Sequence, residues 1–340
     1  MSTRRRTLPN FRRRQLEVAA TLKMSHPSEI PPGSRSTKDL KKIVKDTRHC
    51  CVRCNMRESA ARLYKTCGKC HSVYYCSQEC QKLDWPSHKE KCPESERKKR
   101  VEKVFAALMC NENLSRFLQL AMVLHLGIQN SPLPAKPFTV SIKTDVEPEH
   151  IMEFARLRGD IEPSGATNPP RKIRGIPQIG KILNIGVPEG ELDVIALANS
   201  TMEVERYPEH PETTFGCVAY SIGGVGVQSL KTAFMSIVPI TAEVMRIARE
   251  AQPFVQEISA TGETRLKPMS SDSCIEYINT TIRLDNENRL LLRTPMTEFD
   301  ETIIRNSAAN PRTLSDDERR NWTFMQSRMK NERVYEALLR

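Results

Sequence analysis

Seven cysteines and one histidine in the first third of the chain stand at intervals typical of metal ligands. The first four cysteines form two pairs with two intervening residues, a spacing that lets a tight turn hold one ion. The last four ligands form two pairs that are four residues apart, so each pair can share one face of a helix. Zinc takes four tetrahedral thiolate or imidazole ligands, and eight such residues predict two zinc sites. The predicted ligands are Cys51, Cys54, Cys67, Cys70, Cys76, Cys80, His88 and Cys92.

Sites closed by four protein ligands are structural, and each contributes about 10 to 16 kcal/mol to folding. Because the segment is too short to bury its own core, we expect it to unfold without metal. A disulfide framework would require an oxidising compartment, and no apolar leader peptide is recognisable in the sequence. Three neighbouring residues are interpreted as non-ligands because each lies beside a better placed cysteine: His49, Cys50 and His71.

The sequence from Tyr75 to Cys92, YCSQECQKLDWPSHKEKC, closely resembles the second half of a MYND-type zinc finger. The resemblance is confined to residues 51–92. It implies an interleaved arrangement, although the spacing alone also permits sequential pairing of the ligands. In the interleaved arrangement one ion binds Cys51, Cys54, Cys76 and Cys80, and the other binds Cys67, Cys70, His88 and Cys92.

The same resemblance implies a function in protein interaction, since MYND fingers bind short proline-containing peptides and recruit partners that are often transcriptional regulators. In related fingers the Gln and Trp of the Cys-Gln-x-x-Asp-Trp run contact the peptide, which here are Gln81 and Trp85. An extended peptide would then add to an edge of the strand expected around Ser72 to Tyr75. The alternative is that Trp85 only packs against the second pair of cysteines.

The remaining sequence predicts elements for a separate core. Alternating apolar residues predict strands, and apolar residues three and four apart predict helices. Mixed strands and helices without regular alternation favour an α+β fold. The predicted organisation is a disordered basic arm at 1–48, the zinc finger at 49–93, a helical linker or hairpin at 94–130, an α+β domain of unknown function at 137–311 and a C-terminal helix at 312–340.

Several elements are predicted individually from local patterns. A helix begins at Asn113 as its N-cap and ends near Gly127. Ser315 and Glu318 form a capping box for the last helix, which would run towards Arg340. A long loop rich in Pro and Gly covers 164–188. Strands are predicted at 138–146, 192–198 and 213–222, short helices at 148–158 and 241–251, and a β-hairpin from Cys274 to Arg293.

Charge is distributed unevenly along the chain. Residues 1–48 contain 13 Lys and Arg against 4 Asp and Glu, whereas residues 101–340 contain 27 against 31. Nucleic-acid binding is therefore unlikely except through the basic arm, where it would weaken steeply with salt. The arm also fits a nuclear-import signal, a solvated tail or, more weakly, a transit peptide. No apolar run is long enough to span a membrane, so we expect a nuclear or cytoplasmic protein.

Three sequence patterns resemble catalytic motifs without completing them. Ser221 follows a predicted strand as in the nucleophile elbow of hydrolases, but no histidine follows it to complete the triad. Gly175 to Lys181 has the spacing of a phosphate-binding loop, but Ile182 replaces the required Ser or Thr. His210 and Glu212 could begin an oxygenase triad, but no later histidine completes it.

MYND fingers also occur in SET-type lysine methyltransferases, which makes that class the main enzymatic alternative. The sequence contains no Asn-His-x-Cys run and no downstream Cys-x-Cys cluster. No complete catalytic motif is found, and we expect an adaptor rather than an enzyme.

Overall fold

The computed structural model describes residues 51–54, 56, 63–70, 73–130, 138–161, 172–184, 214–223, 233–257 and 262–338. Predictions for the basic arm, for a strand at 192–198 and for His210 lie outside these residues, as do those for His49, Cys50 and His71. Within the described part of the chain, no helix is both long enough and apolar enough to cross a membrane.

The zinc-finger segment consists of a short antiparallel strand pair and the start of a long helix. Strands β1 and β2 pair antiparallel, and helix α1 begins after Ser77, whose hydroxyl accepts a hydrogen bond from the backbone N–H of Cys80 at 3.3 Å. This helix continues without a break out of the finger, so the expected boundary at residues 93 and 94 falls inside it. The elements are β1 Lys65–Thr66, β2 Tyr74–Tyr75 and α1 Gln78–Cys110.

The C-terminal part contains both strands and helices, as expected, around a five-stranded sheet in the order β6-β5-β3-β4-β9. Strands β3 and β5 are parallel, and the other neighbouring strands are antiparallel. A separate hairpin is formed by β7 and β8. The strands are β3 Phe138–Pro148, β4 Arg174–Asn184, β5 Thr214–Ile222, β6 Phe234–Ile240, β7 Phe254–Glu257, β8 Thr264–Lys267 and β9 Thr294–Pro295.

Helices cover both faces of this sheet. The main core joins apolar residues of β3, β5 and β6 to the second half of α1 and to α2, α4 and α5. A smaller core is formed by α3, α6, α7 and the chain after α7. The helices are α2 Glu112–Leu126, α3 Ile151–Arg158, α4 Ala242–Glu250, α5 Ser271–Leu284, α6 Glu298–Asn306 and α7 Asp316–Asn331, with 3-10 turns at Ile128–Asn130, Pro311–Thr313 and Arg333–Leu338.

The predicted β-hairpin from Cys274 to Arg293 is wrong, because its whole first strand, Cys274 to Arg283, lies within helix α5. The β-branched residues in this segment favour a strand in isolation. However, Ser270 caps the helix by accepting from the N–H of Ser273, and the buried residues recur at helical spacing. Packing against α2 therefore outweighs the local preference. The buried apolar residues of α5 are Cys274, Tyr277, Ile278 and Ile282.

The predicted loop at 164–188 is wrong for residues 174–184, which form strand β4. The strand tolerates Pro177 because, among the described strands, only β9 pairs along this edge, and it reaches only Arg174 and Gly175. The N–H of Ile179 points outward from this edge and donates to the side chain of Asn279. Residues two apart in a strand point their N–H groups to the same side, so the N–H that Pro177 lacks would also have pointed outward.

Two helix ends differ from their predictions. Helix α2 is capped by Asn111 rather than Asn113, since the side chain of Asn111 accepts from the N–H of Leu114. The predicted capping box of α7 is present, with Ser315 and Glu318 bonding reciprocally. This helix ends at Asn331, well before the C-terminus.

Candidate functional site

The eight predicted metal ligands converge into two clusters of four. Within each cluster all ligand atoms lie within 4.8 Å of one another. The grouping is interleaved rather than sequential. The first cysteine turn groups with the first helical pair, and the second cysteine turn groups with the second helical pair. The clusters are Cys51, Cys54, Cys76 and Cys80, and Cys67, Cys70, His88 and Cys92.

The separations of the ligand atoms fit tetrahedral zinc. Sulfur atoms that bind one zinc at 2.3 Å are about 3.8 Å apart. The Sγ atom of Cys76 lies 3.5 Å from those of both Cys54 and Cys80, and the Sγ atom of Cys70 lies 3.6 Å from Nε2 of His88. The MYND arrangement and these two clusters confirm the prediction of two structural zinc ions.

Backbone groups favour thiolates at the first cysteine of each turn. Although burial opposes ionisation of Cys51, backbone N–H groups of Cys76 and Cys54 donate to its sulfur, and its pKa is lowered to about 6. In contrast, sulfur–sulfur contacts with Cys54 and Cys80 raise the pKa of Cys76 to about 12. Four adjacent thiols therefore do not all ionise unaided, and a cation that binds them all removes this cost.

A buried hydrogen bond joins the strands of the finger to its helix. The hydroxyl of Tyr75 donates to Oδ2 of Asp84 at 2.7 Å, and burial together with this bond raises the pKa of Tyr75. The contact fixes the start of α1 against β2, which places the ligands of both elements around the same ions. Sequence reasoning missed this pair, although Tyr75 and Asp84 directly adjoin Cys76 and Trp85.

Trp85 and Gln81 lie four residues apart on one face of α1, and Gln81 is half-buried. The indole of Trp85 contacts the imidazole of His88 at a centroid distance of 5.9 Å, yet 41% of Trp85 remains exposed. One side of Trp85 therefore packs on the predicted zinc ligand His88, and another side faces solvent.

The expected strand edge is not available at Tyr74. Its carbonyl accepts from the backbone N–H of Val52 at 3.0 Å, while β1 pairs along the other side of β2. Because both sides of β2 are occupied at this residue, an added peptide strand is not accommodated there.

Two of the three catalytic look-alikes, at Ser221 and at Gly175 to Lys181, lie in the central sheet and not in loops. Ser221 is buried within β5, which ends in a turn at Gly223. Gly175 to Lys181 forms part of β4, so its backbone N–H groups do not cradle a phosphate as a loop would.

The fold and the geometry of the finger agree with comparisons to known proteins. A family model for the MYND finger matches residues 49–92. A second model, described as Domain of unknown function (DUF8205), matches residues 97–335, more than half of the chain. This chain belongs to the DUF8205 family. The DUF8205 region begins within α1, where the finger ends, and continues past α7. No solved structure matches this chain closely enough for comparison.

The three curated proteins named below match this DUF8205 protein over the finger. The Zinc finger MYND domain-containing protein 10 homolog of Drosophila melanogaster is 45% identical over 47 residues, or 14% of this chain and 9% of that protein. N-lysine methyltransferase SMYD2-A of Danio rerio is 62% identical over 26 residues, or 8% of this chain and 6% of that protein. Human N-lysine methyltransferase SMYD2 is 58% identical over 26 residues, or 8% of this chain and 6% of that protein. The matched segments include the finger and no catalytic domain.

Proposed function

We propose that the finger is a docking module that binds proline-containing peptide segments of partner proteins through Gln81 and Trp85. The observation that carries the proposal is the position of Trp85, a large aromatic residue held by a zinc ligand on one side and exposed on another. A rigid, partly exposed indole is a typical anchor for an apolar peptide residue. The adjacent amide of Gln81 supplies both a hydrogen-bond donor and an acceptor for peptide backbone.

The distribution of exposed apolar side chains supports this assignment. Among the described residues, eight large hydrophobic side chains are exposed and five of them lie in the finger. The finger segment therefore exposes most of these side chains, and exposed apolar surface marks interaction sites. Those in the finger are Val52, Met56, Leu63, Leu83 and Trp85, of which Leu83 lies on a different side of α1 from Trp85 and outside the proposed peptide surface.

The mode of docking follows from the occupied edge of β2. Since Val52 already bonds to Tyr74, the peptide would contact side chains of α1 instead of extending the sheet at that point. Reduced thiolates are required for both zinc sites, which fits the proposed nuclear or cytoplasmic location.

A proline-rich peptide library, presented to the zinc-loaded full chain, tests this function. We expect Trp85→Ala to weaken the selected peptides by about tenfold or more, and Gln81→Ala to weaken them less. Leu83→Ala is the matched control, because Leu83 is 67% exposed but lies two positions from Trp85 and therefore on a different side of the helix. All three variants should retain two zinc ions.

The proposal fails if the zinc-loaded chain selects no peptide, or if Leu83→Ala weakens binding as much as Trp85→Ala does. In the first case the finger would be a structural brace for α1. Loss of zinc from Trp85→Ala would assign the residue to stability instead of docking.

A further inference from the structure

The two zinc clusters differ in how far their ligands are buried. The first cluster comprises Cys51, Cys54, Cys76 and Cys80, and the second comprises Cys67, Cys70, His88 and Cys92. In the second cluster every ligand is at most 5% exposed. In the first cluster Cys51 is buried, Cys76 and Cys80 are half-buried, and Cys54 is exposed. A reagent dissolved in water therefore reaches the first cluster more readily than the second.

Aromatic side chains contribute to the burial of the second cluster. The ring of Tyr75 lies edge-on to His88 with centroids 6.3 Å apart, and the indole of Trp85 contacts the same imidazole. Tyr75 is itself buried and donates its hydrogen bond to Asp84 of α1. The second cluster is therefore enclosed by side chains that are held by both β2 and α1.

The turn that supplies the first cluster is open to solvent. The side chains of Val52, Arg53 and Met56 are exposed, as is Cys54. The backbone N–H of Cys51 donates to the carbonyl of Met56 at 2.9 Å. This bond fixes the backbone of the turn, and Cys54 remains exposed within it.

Access to solvent, and not ionisation, distinguishes the clusters once zinc is bound. A cysteine that binds zinc is a thiolate in either cluster. Among thiolates, the susceptibility to oxidation follows their exposure. The Sγ atom of Cys76 lies 3.5 Å from that of Cys54, so a second thiolate adjoins the exposed one. An exposed thiolate beside a partner that can form a disulfide is typical of redox-sensing cysteines.

We propose that Cys54 is the site at which hydrogen peroxide oxidises the finger, and that this oxidation releases the zinc of the first cluster only. The thiolate of Cys54 donates an electron pair to one peroxide oxygen, so that an S–O bond forms and the O–O bond breaks. The hydroxide that leaves takes a proton from solvent and becomes water. Cys54 is thereby oxidised to a sulfenic acid, and the peroxide is reduced.

A second step forms a disulfide. The thiolate of Cys76 attacks the oxidised sulfur of Cys54, an S–S bond forms, the S–O bond breaks, and the second hydroxide leaves and is protonated to water. Each thiolate has then lost one electron, and one peroxide has become two water molecules. Cys51 and Cys80 are the ligands that remain, which is half of the set that a structural zinc ion requires. Thiol reductants cleave the disulfide and regenerate both thiolates.

Peroxide treatment of the zinc-loaded full chain, followed with a zinc indicator, tests the site. We expect one zinc ion per chain to be released first and the other at least about tenfold more slowly. The reaction is stopped after the first ion is released. The chain is then denatured, and the thiols that remain are labelled with an alkylating reagent.

Trypsin separates the cysteines to be compared, because Cys54, Cys67 and Cys92 fall on different peptides, residues 54–57, 66–69 and 92–97. Mass spectrometry should show that Cys54 has lost its label while Cys67 and Cys92 retain theirs. Peptide 54–57 should be joined by a disulfide to peptide 70–82, which contains Cys76. This measurement uses the wild type and needs no variant that disturbs folding.

Two ligand variants form a matched pair. Cys54→Ser removes a ligand of the first cluster, and its remaining zinc should be released at the slow rate. Cys70→Ser removes a ligand of the second cluster, and its remaining zinc should be released at the fast rate. Cys110→Ala should leave both rates unchanged, because Cys110 belongs to neither cluster.

Release of both zinc ions from the wild type at one rate would overturn the proposal. Loss of label from Cys67 or Cys92 before Cys54 would also overturn it, since the buried cluster would then be the more reactive one. Equal release rates from Cys54→Ser and Cys70→Ser would contradict the difference in access between the clusters.

Discussion

The indole ring of Trp85 lies against the imidazole ring of His88, with centroids 5.9 Å apart and planes tilted by 56°. The residue proposed to bind peptide thus contacts a residue that binds zinc. The orientation of Trp85 depends on the metal site beneath it, because zinc binding fixes the imidazole of His88. Peptide binding and zinc binding should therefore be lost together when the metal is removed.

Zinc removal should unfold the finger and leave the main core folded, since their buried clusters share no residues. We expect two zinc ions per wild-type chain, and at most one in Cys76→Ala. Cys110→Ala should retain both, because Cys110 lies at the end of α1 and in neither cluster. Elemental analysis gives the zinc content, and thermal unfolding with a chelator should remove an early transition only. Loss of the entire transition would contradict this independence.

Asn279 should be important for stability because its amide bonds both backbone groups of Ile179, at 2.7 and 2.9 Å, on the outer edge of β4. Asn279→Leu leaves both groups buried without partners, and we expect a loss of about 2 to 5 kcal/mol in the free energy of unfolding. Asn306→Ala removes a hydrogen bond from a half-buried side-chain amide to Glu318. This variant should lose about 1 kcal/mol or less in the free energy of unfolding. Urea unfolding compares the two, and equal losses would contradict the role assigned to Asn279.

Arg328 and Glu147 should depend on each other, since both side chains are buried and in contact. Arg328→Met removes a cation that compensates the buried negative charge of Glu147. The free energy of unfolding should fall by about 3 to 5 kcal/mol. The double variant Glu147→Leu/Arg328→Met should lose at least about 1 kcal/mol less than the sum of the single variants. Strictly additive losses in a denaturant double-mutant cycle would show that the two residues act independently.

Glu332 should make stability depend on pH. Burial raises its pKa above 4.5 despite the nearby arginines, so its neutral form is favoured in the folded chain. The stability that protonated Glu332 contributes is fully present when the pH is below its pKa in the unfolded chain. It is lost as the pH rises through its pKa in the folded chain. The wild type should therefore lose stability relative to Glu332→Gln as the pH rises above about 4.5. Denaturant unfolding at several pH values measures this difference, and a constant difference would contradict it.

The zinc ligands and their count follow from spacing along the chain. Each turn and each helical pair brings its two ligands together locally, so Cys67 and Cys70 or His88 and Cys92 are recognisable without a fold. Helix capping by Ser315 and Glu318 is equally local. Spacing alone left the pairing of the turns with the helical ligands open, and the Tyr75–Asp84 bond helps to fix it.

The sequence therefore determined the metal chemistry, the capping box of Ser315 and Glu318 and several strands, because these depend on neighbours a few positions apart. Tertiary structure decided that 271–284 is a helix, since burial against α2 outweighs β-branched propensity there. It also decided that Lys143 faces both Lys181 and Ser221, which are distant in sequence. Strand register sets such pairs, and a shift of one residue would place each side chain on the opposite face of the sheet.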